Sequence, residues 1–391
     1  MKKRIAFVIQ RYGKEINGGA EYHCRELAEH LLIKYDVDVY TTCAQDTVTW
    51  SNYFKPGYEN IDGVNVYRFE TEAYRDYEET KKQQYLMRIG DDAAGMRWIS
   101  AMGPYCPKLI CELKKNENLY SCVIFMTYVY YTAVFGLSLH IKNSIFLPTA
   151  HDESQIYQRI FKRVFKWPDA YIFNSIEERE LVYKLFHVED KPSMTTCIGF
   201  SEPHLSENTV PERFKECGEY IIYVGRISKG KNFNQLNDMF IEYKKRCKSS
   251  IKLLVVGKPN MGTNLKYHED IIYCGFVSEE EKIRLMSNAK FLVLPSVHES
   301  LSLVILESMQ LGKPVLVNAE CKVTKGQCIR SNAGLFYSNY IEFEKMMSLL
   351  LSDERLCEQL GQNGKNFVRE NYNWDKVINN FSTFIDTIGN N

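Results

Sequence analysis

Short apolar runs alternate with amphipathic stretches of helix length along most of this chain. Residues 5–10, a glycine-bearing loop, residues 20–33 and residues 37–42 follow the strand, helix, strand order of a β-α-β unit, which sets its strands side by side in a parallel sheet. Further runs at 64–69, 123–126, 144–147, 170–173 and 195–198 predict the remaining strands of one doubly wound domain. Residues 200–218 carry two prolines and lack a strong apolar period, the character of a linker or hinge. The alternation then restarts. Strands predicted at 220–224, 251–256, 271–274, 291–294 and 315–318 interleave with helices near 232–245, 279–288 and 303–311, so a second Rossmann-like sheet is expected. From 341 onward the period is helical, and the chain closes on an amphipathic helix at 374–388 with no strand after it. Residues 46–104 fit the rhythm worst, with Trp50, Tyr53, Phe54, Tyr58, Tyr74 and Tyr77 set among charges. Such an insertion in a regular domain is often functional.

Length agrees with this division, because 391 residues exceed one comfortable core and suit two domains of near-equal size. Lys plus Arg (49) equals Asp plus Glu (49), so no global field draws the protein to nucleic acid, and no nucleic-acid partner is expected. No apolar stretch approaches the roughly 18 to 20 residues that a spanning helix needs. The basic start Met1-Lys2-Lys3-Arg4 followed by residues 5–9 resembles a signal peptide, but the apolar run is short and Gln10-Arg11 breaks it, so a first buried strand is the expectation. The 12 cysteines include no C-x-x-C pair and no zinc-like spacing with histidine, which suits reduced thiols in a cytoplasmic protein.

The sharpest cluster of candidate chemistry is His298-Glu299-Ser300-Leu301-Ser302-Leu303-Val304-Ile305-Leu306-Glu307, directly after the predicted strand at 291–294. It puts one carboxylate in a loop and another in the early turns of the next helix, at the carboxyl end of the sheet where such folds bind ligands. The amides of Leu301, Ser302, Leu303 and Val304 are then unpaired donors at a helix N-terminus, suited to a diphosphate, while carboxylates accept from ribose or sugar hydroxyls. The two could be helix-start acids that favour the dipole, and Glu307 alone would read so; the two together with the loop favour binding. At the second domain's first strand, Gly225 lets the backbone turn close to a ligand, and Arg226 with Lys231 supplies two positive charges, although an ordinary basic loop has the same look.

In the first domain, Asn17-Gly18-Gly19-Ala20-Glu21 opens a helix, and Gly19 could offer its amide to a phosphate or to the acceptor; a plain turn is an equal alternative. Pro148-Thr149-Ala150-His151-Asp152-Glu153 follows another strand, so His151 sits at the same sheet edge. Asp36-Val37-Asp38 resembles a metal-binding D-x-D, but no other acid cluster accompanies it and no metal site is expected. Arg159, Lys162, Arg163 and Lys166 alternate with Ile160, Phe161, Val164, Phe165 and Trp167. That segment is compatible with a membrane surface and equally with a solvated helix face.

These residues resemble family 4 glycosyltransferases of the GT-B class. The likeness runs over nearly the whole chain through G-G-A-E at 18–21, T-x-H-D at 149–152, the Gly225-Arg226 to Lys231 stretch and E-x7-E at Glu299 and Glu307. It implies two Rossmann-like doubly wound parallel-sheet domains facing each other across a cleft: an acceptor domain at 1–200, a donor domain at 201–370, and a helix at 371–391 that crosses back to the first. It further implies that Glu299 touches the donor sugar, Glu307 holds the ribose, Arg226 and Lys231 hold the diphosphate, His151 lies beside the transferred sugar, and Gly275-Phe276-Val277 lines the base pocket.

The implied activity is a metal-independent, retaining transfer from a nucleotide-diphosphate sugar, a co-substrate and not a cofactor, to a glycan or lipid-linked acceptor. The family's usual employment points to surface polysaccharide or glycoconjugate biosynthesis, in the cytoplasm or peripherally at the inner face of the membrane. With donor motifs gathered in the second domain, the aromatic insertion and Tyr128, Tyr130 and Tyr131 are left to meet the acceptor. Two departures stand out: Ser300-Leu301-Ser302 where the family is glycine-rich, and Asn232 where glycine commonly follows the lysine. A nicotinamide dehydrogenase shares the rhythm but would require G-x-G-x-x-G, which is absent. A catalytically silent sugar-nucleotide-binding subunit would be expected to have lost Arg226, Lys231 or a glutamate, and all are present.

Overall fold

Residues Ile5 to Val8 are fully buried, so the opening strand β1 (Lys3–Val8) lies in the middle of a sheet and carries the continuous apolar run of a strand covered on both faces. The computed structural model describes residues 2–16, 18–195, 198–202, 209–260 and 265–389. The chain divides into two units, residues 1–198 with 374–391, and residues 199–373.

In the first unit β1 leads to α1 (Gly19–Leu31), β2 (Tyr35–Thr42), β3 (Gly57–Ile61), β4 (Val64–Phe69), α2 (Tyr77–Ile89), α3 (Asp92–Met102), α4 (Pro107–Asn116), β5 (Cys122–Met126), α5 (Tyr131–Leu137), β6 (Ser144–Leu147), α6 (Phe161–Val164), β7 (Ala170–Phe173), α7 (Ile176–Phe186) and β8 (Ser193–Thr195). The sheet order is β3-β4-β2-β1-β5-β6-β7-β8, parallel throughout except for β3, which pairs antiparallel with β4 at the edge. The chain builds outward from β1 on one side and then returns to place β5 on the other, so the direction of winding reverses between β1 and β5. The irregular insertion thus supplies an edge hairpin and a helix pair. The last predicted strand begins two residues early, at Ser193, and residues 196–197 lie outside the described residues.

The second unit runs β9 (Tyr220–Val224), α8 (Phe233–Arg246), β10 (Lys252–Val256), β11 (Ile271–Gly275), α9 (Glu279–Asn288), β12 (Leu292–Leu294), α10 (Leu303–Gln310), β13 (Val315–Asn318), α11 (Lys322–Ser331), β14 (Gly334–Tyr337), α12 (Tyr340–Ser352) and α13 (Glu354–Asn371). Its six strands are all parallel in the order β11-β10-β9-β12-β13-β14, with Ile222 of β9 opposite Leu292 of β12 where the winding reverses. The edge strand β14 was not predicted. Of the predicted linker, residues 203–208 lie outside the described residues, and one 3₁₀ stretch spans Glu212–Cys217.

The final helix α14 (Trp374–Gly389) buries Val377, Ile378, Phe381, Ile385 and Ile388 in the same cluster as Ile5, Leu27 and Leu31 of the first unit. Trp374 stacks on His30 with ring centroids 3.6 Å apart. Helical spacing of those apolar residues gives it one continuous inward stripe.

Two surface expectations are corrected by burial. Ile160, Phe161, Val164 and Phe165 are packed in the core, so the apolar side of the basic segment faces inward and only its charges face water; Arg159 and Arg163 approach Asp92 at 3.4 and 3.8 Å. The membrane-resting alternative loses its apolar contact surface. Trp50, Tyr128 and Tyr131 are also core residues, with Tyr128 set edge-on to Phe161 at 4.9 Å, so none of the three can stack on an acceptor. Tyr53, Tyr58, Tyr74 and Tyr77 are exposed. Among the described residues no helix is long and apolar enough to cross a membrane, and every described cysteine is a free thiol.

Candidate functional site

The carboxyl ends of β9 and β12 lie side by side at the reversal point of the second sheet, the place where an open parallel sheet leaves a crevice. After β9 the chain turns through Gly225, whose φ of 151° suits glycine. Its neighbour strand supplies Gly257, where a Cβ would stand 1.9 Å from the Gly225 carbonyl oxygen, so the two turns touch backbone to backbone. Arg226 is exposed, and its carbonyl accepts from the Tyr223 hydroxyl at 2.7 Å. Burial pushes that phenol well above its ordinary range, with the Glu299 carboxylate acting in the same direction. Asn232 stands at the N-cap position of α8 with φ 56° and no side-chain cap bond, and donates to Gln235 Oε1 at 2.6 Å and to the Pro295 carbonyl at 3.2 Å, tying the start of α8 to the end of β12. Asparagine is one of the few side chains that tolerate this left-handed conformation.

After β12 the loop carries Glu299 into contact with Lys231, Nζ to Oε1 2.7 Å, both partly buried. Leu301 is buried, and its carbonyl accepts from the Gln327 amide at 2.6 Å. Ser302 stands at the N-cap of α10 with φ 68° and ψ 81° and makes no side-chain cap. One helical stretch later, Glu307 Oε2 lies 3.0 Å from Lys282 Nζ, which also meets Glu279 at 2.6 Å. Burial alone would pull the Lys282 ammonium down; the carboxylates of Glu307 and Glu279 outweigh it and hold its pKa above the ordinary lysine value. Gly275 turns at φ 68°, Phe276 exposes its ring with Lys258 Nζ 5.3 Å from the centroid, and the Val277 side chain is buried. Only the backbone of Val277 is therefore available to a ligand.

The first unit's carboxyl edge is furnished differently. Glu21 Oε1 accepts from Gln10 Nε2 at 2.9 Å and from Arg11 Nε and Nη2 at 2.9 and 2.6 Å, while Arg11 Nη1 donates to the Gln45 carbonyl at 2.7 Å. Thr127, after β5, donates to Gln10 Oε1 at 2.6 Å and closes the network across β1 and β5. A Cβ at Gly18 would fall 2.1 Å from Glu21 Oε2, so a side chain there would have to displace the Glu21 carboxylate from its network; Gly19, the first residue of α1, has nothing within 4 Å of that position. Asn17 lies outside the described residues. His151 Nδ1 faces the Thr149 carbonyl at 3.2 Å and Nε2 faces Glu153 Oε1 at 3.3 Å. The loop beneath it is held by Glu178, which accepts from the Ala150 amide at 2.5 Å and the Asn174 amide at 2.6 Å. Burial pushes the Glu178 carboxyl up to about 8, against the pull of those amides.

Of the D-x-D residues, Asp38 is buried and accepts from Asn65 Nδ2 at 2.9 Å and the Tyr120 hydroxyl at 2.8 Å, a structural arrangement. Among the described residues no group of three or more His, Cys, Asp or Glu side chains is placed to hold a metal ion.

Residues 206–367 match the family model of glycosyl transferases group 1. The second unit is a glycosyltransferase group 1 domain. An uncharacterized glycosyltransferase of Methanocaldococcus jannaschii, MJ1607, is 25% identical over 96% of this chain and 95% of its own length. Sucrose-phosphate synthase from Thermosynechococcus elongatus superposes with a TM-score of 0.70 at 15% identity, covering 99% of each chain. Anabaena HepE, solved with UDP and glucose, gives 0.68 at 13% identity over 98% of this chain and 100% of its own. At such identities the structural likeness speaks for the fold: two parallel-sheet α/β units matching GT-B glycosyltransferases.

Within the glycosyltransferase domain, the packing gathers Gly225, Lys231, Glu299, Leu301, Ser302 and Leu303 at adjoining strand ends, and sets Glu307 on the helix that follows. Such an edge offers fixed cations and amides to an anion and carboxylates to hydroxyls. Lys282 and Lys258 were not foreseen. Lys282 follows three glutamates in a run that reads as a solvated helix start, and nothing in that run points at Glu307.

Proposed function

We propose that the chain is a retaining, metal-independent glycosyltransferase that moves a sugar from a nucleotide-diphosphate sugar to a glycan or lipid-linked acceptor. The observation that carries the reading is the pairing of both E-x7-E glutamates with lysines at the reversal point of the second sheet, Glu299 with Lys231 and Glu307 with Lys282. Glu299 faces the transferred sugar, Glu307 accepts from the ribose hydroxyls, and Arg226 with Lys231 meets the diphosphate. The solved structure of HepE holds UDP and glucose, which supports a donor of this chemical class.

In the reaction the acceptor hydroxyl oxygen forms the new bond to the anomeric carbon on the face from which the phosphate oxygen departs. The bond to that oxygen breaks, and the departing phosphate takes the acceptor's proton. Arg226, Lys231 and the first amides of α10 stabilise the charge that develops on the phosphate, a role fixed donors perform without reorganising. His151 of the first unit is assigned to the transferred sugar, and Gly19 to the donor through its amide. The exposed Tyr53, Tyr58, Tyr74 and Tyr77 are the aromatic surfaces left for the acceptor. Surface polysaccharide or glycoconjugate assembly on a lipid carrier, in the cytoplasm or at the inner membrane face, is the proposed setting.

The test is a panel of UDP-, GDP-, ADP- and dTDP-sugars, first for thermal stabilisation and then for nucleotide release with candidate acceptors in EDTA. Stabilisation by one nucleotide class and transfer that survives EDTA are expected. Transfer abolished by EDTA and restored by Mg²⁺ or Mn²⁺ would sink metal independence, and binding without any turnover would favour a silent binding subunit.

A further inference from the structure

Ser302 combines three features that are individually costly. Its φ of 68° lies in the left-handed region, where a Cβ is disfavoured and glycine is at ease. It occupies the N-cap of α10, where serine ordinarily accepts from an amide of the first turn, yet its side chain makes no such bond. Its Oγ is buried without a hydrogen-bond partner, in a residue only 8% exposed. A buried hydroxyl left unpaired is rare in a native structure and calls for an explanation. Glycine would remove both the strain and the orphan, so the serine is retained against the local energetics of the folded chain.

The surroundings say what would use it. Leu301 on one side is clamped through its carbonyl by Gln327, and Leu303 on the other begins α10, whose first amides receive no cap from the Ser302 side chain. A hydroxyl beside the first amides of a helix is one more donor at the end where an anion is favoured. Glu299, three residues back, is engaged by Lys231.

We propose that the Ser302 hydroxyl is a donor-site ligand: it donates to an oxygen of the sugar-linked phosphate of the nucleotide, adding a side-chain hydrogen bond to the backbone amides of α10. This rests on the donor-site reading above and deepens it to one atom. Ser302 thereby trades stability of the free protein for grip on the diphosphate, since strain and unpaired polar groups are kept where a ligand relieves them.

Two variants separate strain from ligation. Ser302→Gly removes the hydroxyl and the strain; Ser302→Ala removes the hydroxyl and keeps the strain. Each is measured by thermal unfolding without ligand and by calorimetry with UDP, GDP, ADP and dTDP, using whichever binds the wild-type protein. Both variants should bind the free nucleoside diphosphate roughly ten- to over a hundredfold more weakly, the fold-change of one lost hydrogen bond to a charged group. Both variants should melt higher than wild type because both remove the unpaired hydroxyl, and Ser302→Gly should melt highest because it also relieves the strain. Wild-type affinity in both variants would overturn the proposal and leave Ser302 a strained substitute for glycine. A loss seen with the nucleotide sugar but absent with the free diphosphate would also overturn it, because the hydroxyl would then serve the sugar. Glu307→Ala in the same titrations isolates the underlying reading: unchanged affinity there would sink the ribose assignment without touching Ser302, and a wild-type protein that binds none of the four sinks both.

Discussion

At the carboxyl edge of the first sheet, each guanidinium nitrogen of Arg11 has a protein partner and the ion pair with Glu21 is nearly sealed, the side chains 11% and 6% exposed. At the corresponding edge of the second sheet, Lys231 and Glu299 are 27% and 11% exposed, Lys282 and Glu307 are 16% and 20%, and Arg226 stands open to water. Both edges occupy the reversal point of a doubly wound sheet. They differ in how far their charges are already satisfied. A network that is complete without a ligand shapes backbone, and here it shapes the Gly18-Gly19 turn; one that remains reachable is where a ligand can insert.

Breaking the closed edge should therefore cost stability first. Arg11→Met leaves Glu21 buried without its cation, and removing one partner of a buried pair costs about 3 to 5 kcal/mol, to be read by chemical denaturation. A loss under about 1 kcal/mol, the scale of an exposed pair, would show that this edge is as open as the other.

Glu178 extends the closed region to the end of β6, and its titration gives a direction. Its carboxyl is raised from the ordinary 4.5 to about 8, so over that window the folded state keeps a proton that the unfolded state releases. Stability must then fall as pH rises from 5 to 8, by up to about 1.4 kcal/mol per unit from this group. Glu178→Gln has no proton to lose and should flatten that slope in denaturation curves taken across the window. An identical slope in the two proteins would remove Glu178 as its source.

The open edge should respond in the opposite sense. Lys282→Met removes the cation that orients Glu307, so affinity for the nucleoside diphosphate should fall severalfold. The cost in stability should lie between the scale of about 1 kcal/mol for an exposed pair and the roughly 3 to 5 kcal/mol of a sealed one, since the side chains are 16% and 20% exposed. A drop in stability with normal affinity would make Lys282 a structural residue.

The two parallel sheets were legible because strand and helix periods are local, and the E-x7-E and Gly225-to-Lys231 motifs were legible because their spacing is fixed in sequence. The two departures from glycine were visible too, but their meaning was not. Asn232 and Ser302 both sit at positive φ, 56° and 68°, and only backbone geometry shows why glycine suits those places. Lys282 was hidden because its partner is on another element, 25 positions on. Tyr128 and Tyr131 follow a strand end, a place that points to the surface, yet the core of the first unit covers them. Strand β14 was missed because Gly334–Tyr337 is four residues long and begins with glycine, too short to show a period.

The central claim is that the open edge binds a sugar nucleotide, with Glu307 on the ribose and Glu299 on the transferred sugar. Calorimetry with the free nucleoside diphosphate on folded Glu307→Ala and Glu299→Ala tests it most directly. Glu307→Ala should lose a charged hydrogen bond, about 1.5 to 3 kcal/mol, or roughly ten- to over a hundredfold in affinity. Glu299→Ala should bind the free nucleotide almost as wild type does and show its defect in kcat. Equal losses in the two variants, or a loss confined to Glu299→Ala, would contradict the account.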